Sequence, residues 1–215
     1  MNKIILTFVL LLTLKLTSCS VAPSSLTWYN SDVVESVVIS CPILFDRFEL
    51  TNIEQVNDIV NQLIYLTPAK TIDNALVGLS YKIELYCSKG VEYILEVSGY
   101  SVYLHKDNHV YALVGENKPQ FDVIINELYL EYYIKSFPLY IIEGTAHTII
   151  SDQSNRNVSC DVKTKNNEII HIDLSYSSPI IDTTGLGKMI LREGDSVIIG
   201  VNEDNEADRV FIIPK

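Results

Sequence analysis

The 215-residue sequence contains few of the patterns that mark a nucleic-acid-binding protein or a membrane-spanning one. It has 16 basic against 27 acidic side chains, and no run of lysine or arginine offsets this excess of negative charge. An acidic surface repels phosphate backbones, so we expect no nucleic-acid partner. After residue 18, no apolar stretch approaches the ~20 residues that a membrane-spanning helix needs.

Motifs of catalysis and metal binding are also missing. The sequence holds no H-E-x-x-H, C-x-x-C or G-x-S-x-G pattern, and its four cysteines and four histidines are scattered;. We therefore predict no cofactor and no metal site, although His171 and Asp173 lie two apart in a predicted strand and so share a face;. The missing catalytic signatures favour a binding protein over an enzyme.

The first 18 residues are typical of a secretory signal. Lys3 is followed by an apolar run over residues 4–14, which is too short for a stop-transfer helix;. An apolar residue, two small residues and a cysteine come next: Leu16, Thr17, Ser18 and Cys19. Small residues fit a peptidase cleft, and only cysteine offers a thiolate to alkylate. Ordinary cleavage after Ser20 or Ala22 is the alternative.

Residues 16–19 resemble the lipobox of bacterial lipoproteins. The resemblance implies that Cys19 is linked to diacylglycerol and becomes the mature N-terminus, which is then palmitate-type acylated and membrane-bound. It also implies a location on the extracytoplasmic face of the cell membrane. Residues 1–18 would then be the lipoprotein signal peptide, and residues 19–31 the tether between lipid and folded protein;.

Residues 32–135 mix the patterns of helix and strand. Alternation predicts a strand at residues 33–41, and Thr51 with Glu54 forms a capping box at the start of a helix;. Four strand-like runs follow, and Pro119 opens a second helix;. The order β-α-β-β-β-β-α predicts an α+β module in which one antiparallel sheet carries both helices on one face.

Residues 139–215 lack helical periodicity. Five short strand-like runs, separated by turns such as residues 202–205, predict a small β-barrel of OB or SH3-like size;. In layout the chain is similar to uncharacterised lipoproteins of low-GC Gram-positive bacteria, with a lipobox, an α+β module and a small C-terminal barrel. An envelope hydrolase, with carboxylates assembled at the junction of the two modules, is the alternative hypothesis to a binding protein.

Cys41 and Cys87 are predicted to face the core of the α+β module. Cys41 alternates with Val37 and Ile39, and Cys87 lies on the face of Leu85;. Neighbouring strands could bring the two thiols together, and an extracytoplasmic location permits a disulfide. We therefore hypothesise a Cys41–Cys87 bridge, with two buried thiols as the alternative.

Tyrosine is concentrated in the α+β module, since eight of the 13 tyrosines lie between residues 81 and 132. Alternation places Tyr86, Ile94, Tyr103 and Tyr111 on the face that points away from the helices. Tyrosine offers a large contact area and a hydroxyl, which suits the recognition of a peptide, a glycan or another protein of the envelope. We predict these four residues as a binding face. Strand propensity, or a seam between the modules, is the alternative explanation for the tyrosines.

Overall fold

A computed structural model describes residues 28–29, 33–72, 80–88, 90–115, 120–136, 140–175 and 178–215. The predicted signal peptide, Cys19 and most of the predicted tether lie outside these residues. The described residues form two helices, α1 (Ile53–Ile64) and α2 (Phe121–Ser136). The strands are β1 (Val34–Cys41), β2 (Phe45–Leu50), β3 (Thr67–Ile72), β4 (Tyr81–Cys87), β5 (Gly90–Ser98), β6 (Ser101–Lys106), β7 (His109–Val114), β8 (Tyr140–Ser151), β9 (Asn157–Thr164), β10 (Ile169–Leu174), β11 (Ile180–Asp182), β12 (Ser196–Val201) and β13 (Glu206–Ile213).

Seven strands form one antiparallel sheet in the order β2-β1-β4-β5-β6-β7-β3. One side of this sheet is the helix face, where Ile39, Ile83 and Leu95 lose all contact with solvent. Both helices pack there, α1 through residues such as Leu63 and α2 through residues such as Tyr129. The predicted α+β class, with both helices on one face, is confirmed.

Strands β2 and β3 were not predicted. In β2 the apolar residues do not alternate strictly, because two polar residues, Asp46 and Arg47, separate Phe45 from Phe48;. Strand β3 includes Pro68, which is tolerated because β3 lies at the edge of the sheet and needs no hydrogen bond on its outer side;. Helix α1 is capped by Asn52 rather than by Thr51, since the Asn52 side chain accepts a hydrogen bond from the Glu54 amide at 2.9 Å;.

The predicted Cys41–Cys87 bridge is wrong. Both residues are buried, as expected, but the antiparallel register places them at opposite ends of the β1–β4 pair. Cys87 pairs with Val34, whereas Ser40 pairs with Lys82, so the two cysteines lie roughly 20 Å apart along the strands;. Alternation identifies which face a residue occupies but leaves the register between strands open. Burial raises the pKa of the Cys41 thiol.

Trp28, which the sequence placed in the tether, belongs to the core of the sheet. It is 3% exposed, and its indole Nε1 donates a hydrogen bond of 2.7 Å to the Leu66 carbonyl oxygen. Its ring meets that of Tyr93 edge-on, with centroids 5.6 Å apart. The folded part of the chain therefore begins before residue 32.

The C-terminal residues close into a five-stranded barrel, as predicted. Strands β8, β9 and β10 form a meander, β12 pairs with β8, and β13 pairs with β12. A parallel pairing between β13 and β10 closes the barrel, and the short strand β11, which was not predicted, lies parallel to β13 on its other side. The barrel has its own core around Val162, Ile172 and Val197.

Helix α2 is buried on two sides. Phe121, Ile125 and Tyr129 pack into the core of the sheet, and the barrel residues Ile181 and Phe211 join the same cluster. A helix that is apolar around its whole circumference is one that packs on more than one side. The α+β module and the barrel are therefore joined through α2. Neither described helix has the length and apolar composition that crossing a membrane requires.

Asn126 makes the most central polar link of this joint. It is 6% exposed, and its side-chain oxygen accepts a hydrogen bond of 2.9 Å from the Tyr81 hydroxyl on β4. Its amide nitrogen donates a hydrogen bond of 3.0 Å to the carbonyl oxygen of Asp182 on β11. One amide side chain thus satisfies buried polar groups of both the sheet and the barrel.

We predict that Asn126→Leu destabilises the protein by about 2–4 kcal/mol, because it leaves two buried polar groups without partners. The measurement is the free energy of unfolding in urea. Tyr81→Phe is the matched partner variant, and Asn126→Leu should cost less in that background, since one of the two groups is already gone. Equal costs in both backgrounds would contradict the assigned hydrogen bonds.

Candidate functional site

The side of the seven-stranded sheet that points away from the helices is the candidate binding surface, and we call it the open face. No described helix or barrel strand packs on it, because α1, α2 and the barrel all lie on the other side. Its central side chains are Ser36, Val38 and Ser40 on β1, Lys82, Glu84 and Tyr86 on β4, Ile94 and Glu96 on β5, Tyr103 and His105 on β6, and Val110 and Ala112 on β7.

Three of the four predicted face residues lie on the open face. Tyr86, Ile94 and Tyr103 point to it and are half-buried. Tyr111 does not, because it pairs with Leu104, a residue of the helix face. The prediction misplaced β7 by one residue, and a shift of one residue moves every side chain of a strand to the other face. Tyr111 packs instead against the core of the sheet.

The open face contains a concavity of about 480 Å³. This volume falls within the range of small-molecule sites in proteins. Its lining combines hydroxyl, charged and apolar side chains: Ser40, Pro42, Ser80, Lys82, Ile94, Glu96 and His105. The sequence analysis chose three tyrosines and Ile94 as binding residues and did not include these charged residues. The signal available for them was the regular alternation of charged and apolar residues along β4 and β5.

Charges of both signs meet in and beside this concavity. The Lys82 ammonium lies 2.5 Å from a Glu84 carboxylate oxygen, and His105 Nε2 lies 3.3 Å from a Glu96 carboxylate oxygen. The Lys82 side chain is 50% exposed and that of Glu96 21% exposed. The concavity therefore offers donors and acceptors to a ligand, on a chain whose net charge is −11.

A second polar cluster lies on the outer surface of the barrel. His171 Nδ1 donates to Asp161 at 2.8 Å, and His171 Nε2 lies 3.6 Å from Asp173. The hydrogen bond to Asp161 raises the pKa of His171 and, reciprocally, lowers the pKa of Asp161. His171 and Asp173 share a face, as the alternation predicted, whereas Asp161 arrives through the β9–β10 register. Within the described ranges, no group of three or more histidine, cysteine or acidic residues is placed to hold a metal ion.

The junction between the sheet and the barrel, where the hydrolase hypothesis places its site, is filled by packed aromatic rings. Tyr133 lies 5.3 Å from Phe211, centroid to centroid, and the Arg209 guanidinium lies 5.6 Å from the Tyr133 ring. The Tyr133 hydroxyl donates to the Asp208 carboxylate at 2.8 Å. A side chain in place of Gly200 would overlap the Tyr133 ring. In this junction the role of the Asp208 carboxylate is to accept the hydrogen bond of a packed tyrosine.

Burial also keeps the junction tyrosines protonated. Desolvation raises the pKa of Tyr129 to about 12 and raises the pKa of Tyr133 further above its ordinary value, in the second case with help from the hydrogen bond to Asp208. Hydroxyls with such pKa values act at neutral pH as hydrogen-bond donors and apolar surfaces. A seam between the modules, one of the alternative explanations for the tyrosines, therefore explains Tyr129 and Tyr133.

Comparisons of the chain with protein-family models, with curated proteins and with solved structures find no match. The open face and the barrel cluster are therefore interpreted from their own residues. Of the two, the open face has a concavity and side chains of several chemical types, whereas the barrel cluster is confined to a few exposed residues.

We predict that the pKa of His171 lies above its ordinary value of about 6.5 and falls toward that value in the Asp161→Asn variant;. The physical reason is loss of the carboxylate that accepts the Nδ1 proton. Side-chain NMR signals of His171 followed through a pH titration measure both values. Asp173→Asn is the matched control and should produce a smaller fall, because its contact is 3.6 Å. An unchanged pKa in Asp161→Asn would contradict the assignment.

The same shift determines how stability responds to pH. Because the pKa of folded His171 is raised, its contribution is complete below about pH 6.5 and is lost as pH rises through the raised value;. Asp161, whose pKa is lowered, contributes above about pH 4 and loses that contribution as pH falls;. The difference in unfolding midpoint between the wild type and Asp161→Asn should therefore be larger near pH 5 than at pH 9.

Proposed function

We propose that this protein is a lipid-anchored, extracytoplasmic binding protein of the bacterial cell envelope, non-enzymatic, with the open face as its binding surface. The observation that carries the proposal is that no helix or barrel strand of the described residues packs on the open face, which presents Tyr86, Tyr103 and a concavity of about 480 Å³. The partner is a peptide, a glycan or another envelope protein.

The support for the anchor comes from the sequence around Cys19. Cys19 follows the apolar run by only a few residues, and Trp28, nine residues after it, is buried in the core of the sheet. Residues 20–27 can span at most roughly 30 Å. A lipid on Cys19 would therefore hold the folded part close to the membrane, within reach of other envelope components.

We further propose that the barrel is of the OB type rather than the SH3-like type. Its strand connectivity supports this: a three-stranded meander is followed by two strands, the last of which lies parallel to the third. OB barrels present the outer face of their second and third strands, here β9 and β10, to polymeric ligands such as oligosaccharides. An OB barrel that binds oligosaccharides would be consistent with a location in a cell envelope that contains glycans.

The proposal is tested by removing the lipid anchor and the tyrosines of the open face in separate steps. Wild-type protein should be found in the membrane fraction, and its intact mass should equal a chain that begins at Cys19 with diacylglycerol attached. Cys19→Ser should lose the lipid yet still sediment with isolated Gram-positive envelopes through the open face. Adding Tyr86→Ser and Tyr103→Ser should weaken this sedimentation at least about fivefold, since tyrosines supply much of the contact energy of binding surfaces.

The matched control is Tyr140→Ser, which removes a tyrosine that is 67% exposed on the barrel and should leave sedimentation unchanged. Circular dichroism checks that each variant is folded. If the wild-type protein carries no lipid and its mature chain begins at another residue, the proposed lipid anchor is contradicted. If the Tyr86→Ser and Tyr103→Ser substitutions leave the sedimentation of Cys19→Ser unchanged, the binding role of the open face is contradicted.

A further inference from the structure

We propose that the concavity on the open face binds a zwitterionic ligand, namely a short peptide with a free ammonium and a free carboxylate. This inference rests on the proposed function, because it names the ligand class of the same surface. The feature that carries it is the juxtaposition of Lys82 and Glu96, one positive and one negative, on the wall of the concavity.

Lys82 and Glu96 are direct partners across the β4–β5 pair. Side chains in such positions start about 5 Å apart at their Cβ atoms. In an extended dipeptide the ammonium nitrogen and the carboxylate carbon lie roughly 6 Å apart, which is a similar distance. The ligand carboxylate can therefore meet the Lys82 ammonium while the ligand ammonium meets the Glu96 carboxylate.

The existing ion pairs leave capacity for such a ligand. The Lys82 ammonium has three donors, of which the contact with Glu84 uses one, and the Glu96 carboxylate can accept several hydrogen bonds besides that from His105;. Exposed ion pairs contribute little to stability by themselves. Rearranging them around a ligand therefore costs the protein little.

The remaining lining suits the uncharged part of a peptide. Ile94 and Pro42 supply apolar surface for a side chain, and the hydroxyls of Ser40 and Ser80 can bond to a peptide group;. The overall charge of the chain, −11, disfavours an anionic ligand, and Lys82 disfavours a purely cationic one;. A ligand with both charges and no net charge avoids both penalties.

The test compares dialanine with N-acetyl-dialanine amide, the same peptide with both terminal charges removed. Isothermal titration calorimetry on the full-length chain in mild detergent should give an affinity for dialanine at least about fivefold higher, the effect of losing two partly exposed charge contacts. Backbone amide NMR shifts should locate dialanine at Lys82, Ile94 and Glu96.

Charge-removing variants identify the residues involved. Lys82→Met and Glu96→Gln should each weaken dialanine binding while leaving the blocked peptide unaffected. The matched controls are Lys165→Met and Glu143→Gln, which break an ion pair of 2.7 Å on the barrel and should leave both affinities as they are.

The outcomes separate this inference from the proposed function. Equal binding of the blocked peptide at the same amides, or preferential binding there of the neutral disaccharide N,N′-diacetylchitobiose, would overturn the zwitterion proposal and leave the open face as a binding surface. Dialanine shifts elsewhere on the chain, or no shifts at all, would overturn it as well. In that case the envelope sedimentation of the Tyr86 and Tyr103 variants still decides whether the open face binds a larger partner.

Discussion

Helix α2 packs its side chains into the core of the seven-stranded sheet and, at the same time, against the wall of the barrel. Phe45 stacks on Tyr129 from the sheet side at 4.1 Å, while Phe211 approaches Tyr129 from the barrel side at 5.9 Å. Aromatic rings bury large apolar areas, so this double contact is a main source of cohesion between the modules. It also brings the barrel to the helix side of the sheet.

The open face follows from that arrangement. Since helices and barrel share one side, the opposite side of the sheet keeps its hydroxyls, charges and tyrosines available. Lys82 and Glu96 can then both reach solvent while they lie directly opposite each other, which a face buried against the barrel would not permit without a large desolvation cost;. The proposed binding role thus depends on where α2 places the barrel.

The sequence predicted the helices and strands whose apolar residues are strongly periodic. It did not predict features that depend on which strands or side chains are neighbours in the fold. Alternation identified β1 and the five barrel strands, because their apolar residues recur every second position. It could not supply strand register, so Tyr111 was placed on the wrong face and Cys41 was joined to Cys87. Alternation also could not show that Trp28 is part of the core, because Trp28 is held there by a hydrogen bond to Leu66, which is distant in the sequence.

Hydroxyl-radical footprinting with mass spectrometry tests the central claim most directly, because it reports which aromatic side chains solvent reaches in the intact protein. The account predicts that Tyr103 and His105 on the open face are oxidised, more slowly than Tyr140, which is 67% exposed, while Tyr129 and Tyr133 are protected. Protection of Tyr103 together with oxidation of Tyr129 and Tyr133 would mean that the barrel covers the open face, and would contradict the account.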